Sequence, residues 1–423
     1  MSEIDVAVER SHVAIKAGTA DIVVAIPTFN NEATVSNVLR AARTAVFQFP
    51  KWKSLIVHVD GGSTDSTVRR AKESLDGEGP FAQVSYPVYP VHQFDLSNHS
   101  LPGRDSAYRT IFSLAGELDA KVCCIVDCTA VVTPDRISAL LQPVLEMEFD
   151  LAAPFYKRQK YDGVLVNGML YPLTRALFGK RVRQPIGGDA SYSRALIQKL
   201  LPLETWTTEA ARRDVHLWLN IQALQHDMKL CQVRLGARPR TRDVAPDVSS
   251  ILANLTGALY LEMEQTAELW QRVRGSTAVP MFGLRFDPEA AGNAPDTKPL
   301  VDAFRIGCQN LQDLWRFFLP PATLLELKRM GRQGDREFRF SRALWARVVY
   351  DFAVAFRLRP IGREHLLRAL TPLYMGFVAS YILSIEGADP DQVEQEIENV
   401  CMAYESEKPY LISRWRWPDR FMP

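Results

Sequence analysis

Two stretches in the first part of the chain put carboxylates among small, turn-forming neighbours: Pro27-Thr28-Phe29-Asn30-Asn31-Glu32 and Asp60-Gly61-Gly62-Ser63-Thr64-Asp65. A carboxylate beside Gly and Ser can accept hydrogen bonds from a base or a ribose, and the glycine pair lets backbone come close to a ligand. The same residues would also serve as an ordinary capped turn between a strand and a helix. Together they predict a nucleotide site.

A third carboxylate, Asp127, ends the apolar run Lys121-Val-Cys-Cys-Ile-Val-Asp127 and is followed by Cys128 and Thr129. A paired Asp-x-Asp there would hold a hard divalent cation against a diphosphate, because such ions take oxygen ligands. With Thr129 in place of the second carboxylate, Asp127 predicts a weak or absent metal site. Further on, Lys157, Arg158, Lys160, Arg175, Lys180, Arg181 and Arg183 concentrate positive charge in a chain whose formal net charge is only +1. That concentration predicts recognition of a small anionic acceptor, a phosphate, or both, with Arg158, Lys160, Tyr161, Asn167 and Arg183 as the candidate acceptor residues; a solvated charged face is the alternative. Asp189, after Gly187 and Gly188, is a candidate carboxylate at the reacting centre or a helix cap. His216 lies in an amphipathic stretch and reads as flanking the core.

The elements that would position these residues follow from periodicity. Residues 21–27 and 54–60 are apolar, β-branched runs, each followed by turn residues and a helical pattern. A helix over 105–118 leads into the strand that delivers Asp127. Strands alternating with helices predict an α/β fold with a parallel sheet, whose ligands sit at the carboxyl ends of the strands, where Pro27, Asp60 and Asp127 all fall. Residues 234–248, dense in Arg, Pro and Asp, read as a loop or lid. Beyond about residue 297 the pattern is helical, over 311–318, 322–330, 342–356, 363–385 and 391–405. The domains expected are an extension over 1–20, a catalytic domain over 21–296 and an α-helical C-terminal region over 297–423.

Composition narrows the class. A hydrophobic content of 47% in 423 residues supports a large core, and 50 basic against 49 acidic residues exclude a global field that would favour nucleic acid or an anionic membrane. The six cysteines lack the paired spacing of a zinc site, and Met1-Ser-Glu-Ile-Asp5 does not open a secretory signal, so a reducing, cytoplasmic setting is expected. The apolar stretch 366–385 contains Arg368 and Pro372 and reads as a buried helix rather than a span. The apolar C-terminal helices suggest a homodimer.

Several of these stretches together resemble the GT-A glycosyltransferases, and within them the retaining synthases that make glucosylglycerate, mannosylglycerate and glucosyl-3-phosphoglycerate. The marks are Ile26-Pro-Thr-Phe-Asn-Asn-Glu32, Asp60-Gly-Gly-Ser-Thr-Asp-Ser-Thr67, Leu101-Pro-Gly-Arg104, Lys160-Tyr-Asp-Gly163, Tyr171-Pro-Leu-Thr-Arg-Ala-Leu-Phe-Gly-Lys-Arg181, Arg183-Gln-Pro-Ile-Gly-Gly-Asp189 and Leu344-Trp-Ala-Arg-Val-Val-Tyr350. The resemblance covers most of the chain. It implies a Rossmann-like nucleotide-sugar-binding domain with a helical C-terminal region, and transfer of a hexose from a GDP- or UDP-hexose to a small anionic hydroxy acid. Pro27, Thr28, Phe29, Asn30, Glu32, Asp60 and Gly61 would then lie on the donor. Arg104 would stand where the family has a phosphate-side lysine, and Asp189 near the sugar.

This chain also departs from the family. Of the three protein ligands that hold Mg²⁺ or Mn²⁺ in relatives, Asp127 remains; the second carboxylate is Thr129, and the imidazole expected after Cys231-Gln-Val-Arg-Leu-Gly-Ala237 is Arg240. Arg104 and Arg240 are expected to replace part of the metal's charge. Val164 and Val166 stand where relatives carry hydroxyls for the acceptor carboxylate. The lost ligands also admit a catalytically impaired scaffold or regulatory subunit on the same fold.

Overall fold

The computed structural model describes residues 3–75, 80–88, 101–128, 132–237, 247–283 and 294–419. Thr129 and Arg240 lie outside the described residues, as does most of the loop expected over 234–248.

An eight-stranded sheet carries the first compact unit. Its strands are β1 (Ile22–Thr28), β2 (Ser54–Asp60), β3 (Phe81–Ser85), β4 (Val122–Ile125), β5 (Leu151–Lys157), β6 (Ala190–Ser193), β7 (Leu230–Ala237) and β8 (Met281–Phe282), in the spatial order β3-β2-β1-β4-β6-β5-β7-β8. β6 runs antiparallel to both β4 and β5, and the other pairings are parallel. The near-continuous apolar run of β1 is the pattern of a central parallel strand covered on both faces, and every residue of it is buried. One face is covered by helices Val35–Val46 and Pro134–Glu146, whose Val35, Val38, Leu39, Ala42 and Ile137, Leu140, Leu141, Val144 recur at helical spacing into the main core. This mixed α/β sheet, with a helical second unit, agrees with the α/β class and the helical C-terminal region expected from the sequence, while the sheet is mixed rather than all parallel. β6 was not legible as an antiparallel strand, since four residues carry too short a period to show direction.

The two compact units interleave along the chain. The first takes Met1–Lys157, Gln184–Pro246 and Val279–Phe286; the second takes Arg158–Arg183, Asp247–Ala278 and Asp287–Pro423. The second unit is helical. Trp345 stacks on Phe377 with ring centroids 4.8 Å apart and donates its indole N–H to the Gly168 carbonyl at 2.9 Å. A Cβ on Gly168 would fall 2.3 Å from that phenyl ring, so only glycine fits there.

The helices of this unit differ from the expected ones at their ends. The expected helix 363–385 is two, Arg363–Ala369 and Thr371–Ile385, because Pro372 starts a new helix at a position where its missing N–H costs nothing. This run is long and apolar enough to cross a membrane and is mostly buried inside the protein. The helix expected over 311–318 is a single turn, Gln312–Trp315, and the one over 391–405 runs on through Pro409 to Arg416. Helix Lys298–Asn310 escaped the sequence reading.

Candidate active site

The loops after β1 and β2 are knitted together by the residues that the sequence singles out. Asn30 has a positive φ of 56°, a conformation its short polar side chain tolerates. Its N–H donates to Ser63 Oγ at 2.9 Å, and its Oδ1 accepts from the Thr64 N–H at 2.8 Å. Glu32 donates its N–H to Asp65 Oδ2 at 3.1 Å and accepts from the Ser66 N–H at 3.0 Å. Asp60, at the end of β2, is 4% exposed. Its Oδ2 accepts from the Gly62 and Ser63 N–H groups, both at 2.9 Å, and its Oδ1 accepts from Ser63 Oγ at 2.6 Å and Thr28 Oγ1 at 3.0 Å. Four donors fill the four lone-pair positions of a carboxylate. Asp60, read in the sequence as an acceptor for a base or ribose, thus accepts from its own turn and from Thr28. The glycines serve that turn as well. Gly62 takes a φ of 87°, and a Cβ on Gly61 would sit 2.3 Å from the Tyr86 hydroxyl.

Behind this turn His58 is fully buried on β2, with Nε2 2.7 Å from Thr28 Oγ1. Burial pulls its pKa down, against the opposing pull of Asp60.

Antiparallel pairing of β4 with β6 builds the next part of the edge. Ile125 pairs with Ala190, so the chain leaving β4 meets the chain entering β6, and Asp127 comes against Gly188-Asp189. The Asp127 N–H donates to Asp189 Oδ1 at 2.8 Å, and the Tyr156 hydroxyl donates to Asp189 Oδ2 at 2.6 Å. Asp189 is 2% exposed, and burial pushes its carboxyl up to about 6, opposed by the Tyr156 and Asp127 hydrogen bonds and reinforced by the negative Asp127 side chain. The two glycines before it permit close approach: a Cβ on Gly187 would overlap Pro154 Cγ at 2.0 Å, and one on Gly188 would lie 2.9 Å from Asp127 Oδ2.

A cation on this edge is Arg104, the first residue of helix Arg104–Glu117, which begins after Gly103 at a φ of 62°. Its guanidinium is 4.0 Å from Asp127 Oδ2, with 24% of the Arg104 and 29% of the Asp127 side chain exposed. Its Nη1 is 2.7 Å from His216 Nε2, and His216 Nδ1 is 3.2 Å from the Tyr108 hydroxyl, which donates to the Gly188 carbonyl at 3.1 Å. His216 sits in the first turn of helix Val215–Gln225, whose N-cap Asp214 accepts from the Leu217 N–H at 2.8 Å.

Tyr108 and Tyr156 stand beside Asp189 and Gly188 without having been singled out in the sequence, and His216, read there as flanking the core, is buried and bonded to Arg104. Two signals were there. Tyr108 follows Arg104 by four positions and so shares its helix face, and Asp214-Val215-His216 is a cap followed by an imidazole.

The expected acceptor residues belong to the helical unit and are held inside it. Lys160 Nζ donates to the Ala388 carbonyl at 2.7 Å and lies over the Tyr161 ring. Arg183 pairs with Glu394 at 3.0 Å and stacks on Tyr171, with 5.0 Å from its guanidinium carbon to the ring centroid. Arg175 is bound by both oxygens of Glu398 and by Glu405. Asn167 stands at the Val166–Leu170 turn, its N–H donating to the Gly163 carbonyl at 2.9 Å. Arg158 borders Gly163, whose φ is 72°.

Among the described residues no three His, Cys, Asp or Glu side chains come together as a metal site. Asp127, beside the Arg104 cation, does not by itself make a donor set for Mg²⁺ or Mn²⁺.

No family model matches the chain, and no curated protein does. Solved structures of glucosyl-3-phosphoglycerate synthase from Mycobacterium tuberculosis are similar. The complex with Mn²⁺, UDP-glucose and phosphoglyceric acid is 21% identical, with a TM-score of 0.43 over 61% of this chain and 84% of that one. The complex with phosphoglyceric acid is 20% identical, with a TM-score of 0.41 over 61% and 84%. The complex with Mn²⁺, UDP-glucose and glycerol 3-phosphate is 22% identical, with a TM-score of 0.41 over 59% and 83%. At these scores the likeness adds nothing to what the site's own geometry supports.

Proposed function

We propose that this chain is a glycosyltransferase that moves a hexose from a nucleoside-diphosphate sugar to a small anionic hydroxy acid of the glycerate or phosphoglycerate type, with retention at the anomeric carbon. The observation that carries the reading is the part-exposed Arg104–Asp127 pair at the carboxyl edge of the sheet, beside the turn around Gly188. A guanidinium there can grip diphosphate oxygens through its planar fork of donors, with backbone of the Pro27–Glu32 and Asp60–Thr64 loops forming the rim for the nucleoside.

The chemistry needs little from side chains beyond charge and position. The C1–O bond to the diphosphate breaks, negative charge grows on the leaving oxygen, and Arg104 stabilises it. The acceptor hydroxyl attacks C1 from the face the diphosphate leaves, and its proton passes to that leaving oxygen, which preserves the anomeric configuration. Asp189, enclosed by Tyr156 and the Asp127 backbone, acts by fixing Asp127 rather than by touching the sugar. Arg240, which stands in the sequence where relatives carry a metal-binding imidazole, is the second cation this reading proposes for the leaving group. Arg158, Lys160, Tyr161, Asn167 and Arg183 are the acceptor residues of this reading, on the positive charge that their stretch of sequence concentrates. The six unpaired cysteines support a reducing, cytoplasmic setting. A homodimer through the apolar C-terminal helices completes this reading.

A nucleotide-binding protein without turnover is the second reading, favoured by the missing metal ligands. Incubation with UDP-glucose or GDP-glucose and a panel of hydroxy acids, with products resolved by mass, separates the two. A glycosylated acid supports transfer. Nucleotide binding without any product across the panel supports the second reading.

A further inference from the structure

The hydrogen bonds from Arg104 to Gly188 form a chain whose direction is fixed at both ends. A guanidinium has donors only, so the Arg104 Nη1–H must donate to His216 Nε2, which must therefore carry a lone pair. A neutral imidazole has one proton, and it is left on Nδ1, facing the Tyr108 oxygen. A backbone carbonyl only accepts, so the Tyr108 hydroxyl spends its own proton on Gly188 and offers its oxygen to His216. Every donor in the chain has an acceptor, and no bond can be reversed without losing another.

The ring that links the two ends is buried, at 3% exposure, and meets the Tyr108 ring edge-on with centroids 5.2 Å apart. Burial, with the Arg104 charge beside it, holds the imidazole neutral well below its ordinary pKa. The chemical nature of this partner matters. Asp127 already places one carboxylate 4.0 Å from Arg104; a second in the place of His216 would cancel more of its charge, whereas a neutral nitrogen orients the guanidinium without doing so.

We infer that His216 is a positioning residue: as a neutral Nδ1–H imidazole it aims the Arg104 guanidinium and ties it, through Tyr108, to the Gly188 backbone beneath Asp127. The inference rests on the proposed role of Arg104 toward a diphosphate. Its consequence is a split by ligand charge. Binding of the second phosphate of a nucleoside diphosphate depends on His216, and binding of the corresponding monophosphate does not.

The test uses the full chain, with UDP, GDP, UMP and GMP as probes in calorimetry, and three proteins: wild type, His216→Phe and His216→Gln. Phenylalanine keeps a ring and removes both nitrogens; glutamine is neutral and offers one acceptor and one donor. For the diphosphate that wild type binds, His216→Phe should lose roughly ten- to a hundredfold in affinity, the cost of misplacing one charge-assisted contact. Its monophosphate affinity should stay near wild type, and His216→Gln should recover most of the loss. Unchanged diphosphate binding by a folded His216→Phe overturns the inference, as does an equal loss for mono- and diphosphate that glutamine does not rescue, which is the signature of a merely structural residue.

A second measurement does not depend on nucleotide. Nitrogen-15 NMR of histidine-labelled protein should find the His216 proton on Nδ1; a proton on Nε2 overturns the chain even where UDP or GDP binds. Failure of wild type to bind any of the four nucleotides overturns instead the donor reading, together with the diphosphate role of His216.

Discussion

The backbone N–H of Asp127 is bonded to Asp189 Oδ1 at 2.8 Å, so the two carboxylates of this edge are joined through main chain rather than through a shared ion. One is part-exposed and one is enclosed. The enclosed one carries the cost of burial, and that cost can be read out as a dependence of stability on pH.

Burial raises the Asp189 carboxyl to about 6 in the folded chain, from an ordinary value of 3.8. Between those two values the folded state holds a proton that the unfolded state has lost, so stability contributed by this group falls as pH rises through the window. The cost is fully present above about pH 6 and absent below about pH 4, with a size on the order of 3 kcal/mol. Asp189→Asn removes the titration and keeps an oxygen for the Asp127 N–H. Denaturant unfolding of both proteins at pH 4.5 and pH 7.5 should therefore find the Asn variant gaining on wild type at the higher pH. An equal difference at both values would mean that Asp189 titrates normally.

A second expectation concerns Asp60, whose two oxygens take four donors from its own turn and from Thr28. Asp60→Ala strands those donors and should destabilise the chain by about 1–3 kcal/mol or more, with nucleotide affinity falling alongside as the loop loosens. Asp60→Asn keeps one oxygen for the Gly62 and Ser63 N–H groups and turns its amide toward hydroxyls that can accept. It should retain most of the stability and most of the affinity. Lost nucleotide affinity in Asp60→Asn at unchanged Tm would instead put this carboxylate on the nucleoside.

How much of this was legible in the sequence depends on how local each feature is. β1, β2 and the turns after them showed because a strand, its cap and its turn lie within ten residues, and Asn30, Glu32, Asp60 and Asp65 are of the types such turns require. The roles inside the turn did not show, because a carboxylate that binds its own loop and one that binds a ribose use the same residue types. Asp127 was visible as a carboxylate at a strand end and Asp189 as one after a glycine pair; their juxtaposition depends on β6 entering antiparallel, a pairing across 62 positions. His216 read as core-flanking because periodicity reports burial and says nothing of what a buried imidazole touches. The cations Arg175 and Arg183 read as a cluster by composition, while their partners Glu398, Glu405 and Glu394 lie more than 200 positions away.

The last expectation concerns the charge that grows on the leaving diphosphate. Where a divalent ion neutralises that charge, removing the ion abolishes turnover. Asp127 has a guanidinium as its neighbour at 4.0 Å, and a second cation placed on the same carboxylate would be repelled by it. Arg104 cannot lose its proton, is steered by the neutral His216, and presents a fork of donors that fits phosphate oxygens. Turnover in excess EDTA should therefore persist, and added Mn²⁺ or Mg²⁺ should change it little. Arg104→Met should lower kcat on the order of 10²–10³-fold, the usual cost of removing one donor from a site of developing negative charge. Arg104→Lys should recover only part of this, since one ammonium cannot reach His216 and two phosphate oxygens together. Strict dependence on Mn²⁺ or Mg²⁺ would show that a metal supplies the neutralisation, and full turnover in Arg104→Met would remove this guanidinium from the leaving group.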